Sequence, residues 1–248
     1  MTTQVAVVGA SGRLGQVAVR VIEASDDLEL FASLGSKDDL AGMVGADVVM
    51  DATIPAVSQT VVEYAIEHGI RVLVGTSGWS NDRIAKIERL VTATPDAGVI
   101  FVPNFSLGSV LASSFAAIAA RFYDSIEIIE AHHASKIDSP SGTAVRTAEL
   151  IGAARLDLGP VIAPHADQRA RGQQVSSVPI HSMRLQGVVA KQDVVFGGNG
   201  ELLTVTHETL DPSSYEKGIL LALRAAGDTR GVLVGLDSLL DLGPAAQA

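Results

Sequence analysis

Val5-Ala6-Val7-Val8-Gly9-Ala10-Ser11-Gly12-Arg13-Leu14-Gly15 decides the fold of this chain. Four apolar residues bounded by Gly9 suit a strand buried on both faces. Beyond the turn, Leu14, Val17, Ala18, Val21 and Ile22 recur at helical spacing and predict an amphipathic helix. The glycines form a Gly-x-x-Gly-x-x-Gly variant of the dinucleotide fingerprint, which permits a tight turn and close backbone approach to a pyrophosphate. The helix N-terminus then presents free N–H groups to that anion. A Gly-rich packing turn has the same composition, but the position between a first strand and an amphipathic helix gives the pattern its weight. Gly9, Ala10, Ser11, Gly12, Arg13 and Leu14 are therefore candidate cofactor-binding residues.

Outward from this unit, strands are expected at Leu28 to Leu34, Asp47 to Met50, Val72 to Val74 and Val99 to Val102. Helices are marked between them by Val57, Val61, Ala65 and Ile66, and by Ile84, Ile87 and Val91. Strand–helix alternation at this pitch implies right-handed crossovers and an α/β fold with a Rossmann-type, doubly wound parallel sheet. After Asn104 the rhythm changes. A small-residue helix over 107–122 precedes a strand from Ile126 to His132 and a helix opened by Ser141. From Val175 the text is strand-like at Val178 to Ile180, Val188-Val189, Val194 to Phe196 and Leu202 to Thr206, with turns at Gly187 and Gly197-Gly198-Asn199-Gly200. That predicts a second, α+β domain with an antiparallel or mixed sheet. A helix near Tyr215 to Ala226 and a strand from Val232 to Leu236 are expected to return to the first domain.

At 248 residues the chain makes one large or two small domains. Its formal net charge of -10 argues against a nucleic-acid partner, which needs clustered Lys and Arg. The absence of cysteine removes disulfides, thiolate metal sites and thiol nucleophiles. No basic leader precedes the first strand, and the uncharged stretch from Ala97 to Ala120 is interrupted by Pro103, Asn104 and two glycines. It reads as buried core rather than a membrane span, so a soluble cytoplasmic protein is expected.

Cofactor selectivity belongs at the end of the second strand, Leu34-Gly35-Ser36-Lys37-Asp38-Asp39. An acid there accepts from both ribose hydroxyls, whereas a 2′-phosphate wants hydroxyls and cations. None sits at the immediate strand end. Gly35, Ser36 and Lys37, with Arg13, form a candidate phosphate cradle, opposed by Asp38 and Asp39; a solvated polar loop is the plain alternative. Use of both NADPH and NADH, with NADPH favoured, is the expectation. Three further turns follow strands: Asp51-Ala52-Thr53-Ile54-Pro55, Gly75-Thr76-Ser77-Gly78 and Val102-Pro103-Asn104-Phe105. They place Thr53, Gly75, Thr76, Ser77, Val102, Pro103, Asn104 and Phe105 at the carboxyl ends of the strands, where ligands of such sheets bind. Asx and Ser/Thr turns would explain each of them equally.

The segment from Glu130 to Thr143, Glu-Ala-His-His-Ala-Ser-Lys-Ile-Asp-Ser-Pro-Ser-Gly-Thr, gathers two imidazoles, an ammonium and a helix start. A proton donor, fixed positive charge and backbone N–H groups would converge there on a small anion, which points to a reductase. No metal is expected: adjacent strand residues face opposite ways and Lys136 would repel a cation. Ser141 is explained as a helix cap. Capping leaves Gly142 unexplained, and first-turn N–H groups with the helix dipole suit a carboxylate.

On these motifs the chain resembles bacterial dihydrodipicolinate reductase, also described as 4-hydroxy-tetrahydrodipicolinate reductase, of lysine and diaminopimelate synthesis. The match runs almost end to end, and Gly235-Leu-Asp-Ser-Leu-Leu-Asp-Leu242 looks actinobacterial. The resemblance implies a dinucleotide-binding domain over 1–105 and 213–248 and a substrate-binding and oligomerisation domain over 106–212. It also implies a homotetramer and a small cyclic dicarboxylate substrate. It makes His132 the general acid and Lys136 the second proton donor, with His133, Ser141, Gly142 and Thr143 holding substrate carboxylates. Two positions depart from the family: Ala52 stands where Phe is common, and Gly35-Ser36-Lys37 replaces a strand-end acid. Two rival classes are another nicotinamide enzyme of amino-acid metabolism and a non-catalytic dinucleotide sensor. The missing thiol speaks against semialdehyde chemistry, and the intact His132 and Lys136 against a sensor.

Overall fold

The computed structural model describes residues 2–240, so Asp241 and Leu242 of the actinobacterial-like tail, and the rest of the expected domain to 248, lie outside the described residues. The chain divides into two compact units, one of residues 2–107 with 212–240 and one of residues 108–211.

The first unit runs β1 (Thr3–Val8), α1 (Arg13–Glu23), β2 (Leu28–Leu34), β3 (Val48–Asp51), α2 (Pro55–Glu67), β4 (Arg71–Val74), α3 (Asn81–Ala93) and β5 (Gly98–Phe101). The second runs α4 (Leu107–Ala119), β6 (Ser125–His133), α5 (Gly142–Ala154), β7 (Gln173–Val175), β8 (Val178–Leu185), β9 (Ala190–Gly198) and β10 (Glu201–Thr209). The chain then returns to the first unit as α6 (Glu216–Ala226) and β11 (Gly231–Val234).

The first sheet has six parallel strands in the order β11-β5-β4-β3-β1-β2. Its central strands are largely apolar because helices cover both faces: every residue of β3 and β5 is buried, while the edge strand β2 alternates. Successive crossovers reverse direction between β1 and β3. That switch point opens a crevice beyond the strand ends, at the Gly9 turn. The returning segment is seated by two glycines: a Cβ on Gly218 would lie 1.9 Å from Phe105 O, and one on Gly98 would lie 2.0 Å from Thr229 O. Arg224 adds a bidentate pair to Asp27, at 2.8 and 3.0 Å.

The second sheet has the order β10-β9-β6-β8-β7 and is mixed, with β6–β8 parallel and the other pairs antiparallel. Helices α4 and α5 cover one face, burying Ala116, Ala144, Ala148 and Ile151 against Ile126, Ile128, Val194 and Phe196. Two expectations need correction. Val188-Val189 is not a strand but the connection between β8 and β9, and Gly197-Gly198 finishes β9, leaving the turn to Asn199-Gly200. Apolar character alone does not separate a short valine pair in a hairpin loop from a strand. Among the described residues, no helix is long and apolar enough to cross a membrane.

Candidate active site

The turn after β1 is built to admit an anion. Gly9 has φ +85°, and a Cβ on it would lie 2.4 Å from Ala52 O. A Cβ on Gly15 would lie 2.2 Å from Gly9 O, so the first turn of α1 sits directly on the strand end. Gly12 is the N-cap and supplies no side-chain cap bond. The first-turn N–H groups of α1 are thus left to a ligand, which fits a dinucleotide pyrophosphate. Beside the turn lies an open groove of about 610 Å³ whose lining includes Ala10, Ser11, Gln16, Arg20, Gly35 and Asp38. Ser36, Lys37 and Arg13 are exposed and do not line it. The expected cradle is therefore only partly assembled: Gly35 is on the wall, and the residue beside it is Asp38 rather than Lys37.

The other strand-end turns are tightly organised. Asp51 is fully buried and accepts from Thr53 N at 3.1 Å, Thr53 Oγ1 at 2.5 Å and the Ser58 hydroxyl. Ser58 Oγ in turn accepts from Trp79 Nε1 at 3.0 Å. This carboxylate sets the β3–α2 turn, and Thr53 and Thr76 approach at 3.5 Å between hydroxyls. Gly75 has a packing role, because a Cβ there would meet Leu14 Cδ2 at 2.8 Å and Phe105 Cε2 at 2.9 Å. Asn104 Oδ1 accepts from Ser106 N at 2.9 Å, an Asx turn. Val102 and Phe105 are buried, whereas Ser77 and Pro103 are exposed.

In the second unit, β6 carries Glu130 and His132 on one face, as the strand period requires. Parallel pairing sets Arg184 of β8 opposite His132. The fully buried Glu130 carboxylate gathers several donors, among them His132 Nδ1 at 2.6 Å, Arg184 Nη1 at 2.9 Å and Nη2 at 3.0 Å, and Ser141 N at 3.2 Å. One side chain thereby ties the imidazole, a guanidinium and the start of α5 together. Ser141 Oγ caps the helix by accepting from Ala144 N at 3.2 Å. A Cβ on Gly142 would meet nothing within 4 Å, and its φ is not positive, so neither packing nor backbone conformation calls for glycine there. Lys136 Nζ lies 2.7 Å from Asp138 Oδ1, and His133 Nδ1 lies 2.9 Å from Ser135 Oγ. Thr143 occupies the first turn of α5 beside Gly142.

Burial raises the Glu130 carboxyl, but hydrogen bonds from Arg184, Ser182 and His132 outweigh it and hold the group below its ordinary value. His132 is pushed below its ordinary value, first by burial and then by the charges of Lys136 and Arg184, against the pull of Glu130. In the neutral ring, donation of Nδ1–H to the Glu130 carboxylate leaves Nε2 as the acceptor nitrogen. Arg184 Nε is buried without a hydrogen-bond partner. Among the described residues, no three His, Cys, Asp or Glu side chains are placed to hold a metal. Sequence patterns missed Arg184 and the role of Glu130. The only signal for them was the alternation of Ser182 and Arg184 along a strand whose partner was unknown.

A parallel sheet with a pyrophosphate-shaped first turn, and a second unit holding an imidazole, an ammonium and an open helix start, define a nicotinamide-dinucleotide oxidoreductase. The chain belongs to the dihydrodipicolinate reductase family. The family model of the N-terminus matches residues 3–105 and that of the C-terminus matches residues 108–240. The 4-hydroxy-tetrahydrodipicolinate reductase of Clavibacter sepedonicus is 68% identical over 242 residues, covering 98% of this chain and 87% of that protein. The enzyme of the same name from Streptomyces griseus is 46% identical over 245 residues, covering 96% of this chain and 98% of that protein. The dipicolinate-bound dihydrodipicolinate reductase of Paenisporosarcina sp. TG-14 superposes with a TM-score of 0.84 at 30% identity, covering 97% of this chain and all of that one.

Proposed function

We infer that this chain reduces 4-hydroxy-tetrahydrodipicolinate to tetrahydrodipicolinate in lysine and diaminopimelate biosynthesis. The observation that carries the reading is the Glu130 carboxylate, which fixes His132 and the N-terminus of α5 as one rigid constellation. In the proposed reaction the ring hydroxyl leaves as water and a conjugated imine forms. A nicotinamide dinucleotide, NADPH or NADH, supplies hydride to ring C4 when bound. His132 gives the proton that neutralises the charge developing across the carbon–nitrogen system, and Lys136 is the second donor. Burial holds His132 below its ordinary value in the free protein, so negative charge on the substrate acts toward protonating it. Two carboxylates brought near the ring favour its cationic form. His133, Ser141, Gly142 and Thr143 hold those carboxylates, the last three through the N-terminal turn of α5.

On the same reading, the unit built on the Gly9 turn binds the dinucleotide through Gly9 to Leu14, Gly35, and the turns at Thr53, Gly75 to Ser77 and Val102 to Phe105. The unit of residues 108–211 binds substrate and makes the oligomer contacts, and the enzyme works in the cytoplasm as a homotetramer. The test is reduced-nicotinamide oxidation by the purified chain with enzymatically generated substrate. Turnover dependent on that substrate supports the reading, and its absence with both dinucleotides overturns it.

A further inference from the structure

The end of β2 carries no acid, and the loop that follows it folds back on the strand end. Gly35 follows the strand, its φ is not positive, and a side chain built on it would meet a single atom, Asp38 Oδ2, 3.5 Å from the Cβ. The loop folds back so that this same oxygen accepts from Gly35 N at 2.7 Å, while Asp38 N approaches Gly35 O at 3.4 Å. The Asp38 carboxylate therefore stands where the side chain of a strand-end acid would begin. It lines the groove together with Ala10 and Ser11 of the glycine turn.

We propose that Asp38 is the residue by which this chain reads the ribose of its cofactor, accepting from the 2′- and 3′-hydroxyls and making NADH the preferred dinucleotide. The proposal rests on the functional reading above. A carboxylate has about four lone-pair sites. Gly35 N takes one on Oδ2, and the remaining sites can accept from a diol. A 2′-phosphate at that point meets a like charge, and relieving it means giving up the charge-assisted bond to Gly35 N. Neighbouring charges do not reverse this. Arg20 is the cation on the groove wall, but its guanidinium faces Glu216 at 3.8 Å. Lys37 is exposed and does not line the groove. Asp39 is committed elsewhere, its Oδ1 accepting from Ala41 N at 2.9 Å to cap the next turn. The sequence pattern favours NADPH through Ser36, Lys37 and Arg13; on this proposal the loop favours NADH instead.

The test is direct titration of the full chain with NADH and with NADPH, without substrate. Wild type is expected to bind NADH about tenfold more tightly. Asp38→Asn keeps an acceptor for Gly35 N but loses the charge, and should reduce that ratio about 10-fold to 100-fold. Asp38→Ser should do the same, and adding Gly35→Asp to it should restore NADH binding by returning an acid to the strand end. Tighter NADPH binding in wild type, or a ratio unmoved in Asp38→Asn, overturns the proposal alone. Failure of wild type to bind either dinucleotide overturns it together with the functional reading.

Discussion

Glu130 and His132 sit two residues apart on one face of β6, with the carboxylate 2.6 Å from imidazole Nδ1. The same carboxylate clasps Arg184 and the N–H of Ser141, so it cannot move to suit the ring alone. It fixes the ring's tautomer and aim, and it is the group opposing the burial that depresses His132.

Glu130→Gln keeps the shape and removes that opposition, so the His132 pKa falls further below its ordinary value of 6.5. A general acid works when protonated, so kcat/KM rises as pH falls through the pKa of the free enzyme. In the variant this limb should move to lower pH, with activity near neutrality down by about tenfold or more. A limb at the wild-type position would show that Glu130 does not act through His132.

The same variant has a stability signature. Glu130 is held below its ordinary value of 4.5, so its contribution is fully present above that pH and is lost as pH falls through the folded value. At neutral pH, Glu130→Gln leaves the partly buried Arg184 guanidinium without its counter-charge and should cost up to about 3–5 kcal/mol. The gap between wild type and variant should narrow on acidification below 4.5, as followed by denaturant midpoints. A gap independent of pH would mean that the ion pair contributes nothing.

His132→Gln and Lys136→Ala should each lower kcat by about two to four orders of magnitude while leaving dinucleotide titrations unchanged. Near-normal turnover in both would remove their proposed roles.

Local patterns carried the first unit. The Val5 to Gly15 stretch, the valine-rich central strands and the spacing of Val17, Val21 and Ile22 are one-dimensional signals, and the sheet follows from them. The second unit was less legible, because its site is made by register. Arg184 becomes part of the site only through parallel pairing of β8 with β6, which no local pattern states. Asp38 was legible as a charge opposing a phosphate, but its backward fold onto Gly35 N is a loop property that no local pattern states. Gly142 was legible for the opposite reason, since a glycine without a conformational duty already stood out in a helix start.

Assembly should be visible in solution. On the face of the second sheet away from α4 and α5, Ile129, Met183 and Leu202 are 36%, 44% and 76% exposed. That is apolar surface suited to a symmetric contact. Light scattering at micromolar concentration should report about four chains, and Met183→Asp should lower that number. A wild-type monomer would refute the tetramer.

Gly142→Ala separates a structural glycine from a functional one. A methyl there meets nothing within 4 Å, and the backbone is not in the left-handed region. Alanine is the better helix former by about 0.8–1.0 kcal/mol in a helix interior, so thermal stability should hold or rise. If the first-turn N–H groups of α5 receive a substrate carboxylate, the methyl intrudes on the path by which that anion approaches them. The KM for substrate should then rise about tenfold or more with a smaller change in kcat, because binding common to ground and transition states is lost. Gly15→Ala is the contrast, since its Cβ would lie 2.2 Å from Gly9 O. It should lower stability and weaken dinucleotide binding together. Gly142→Ala with an unchanged KM and an intact fold would show that the carboxylate binds elsewhere.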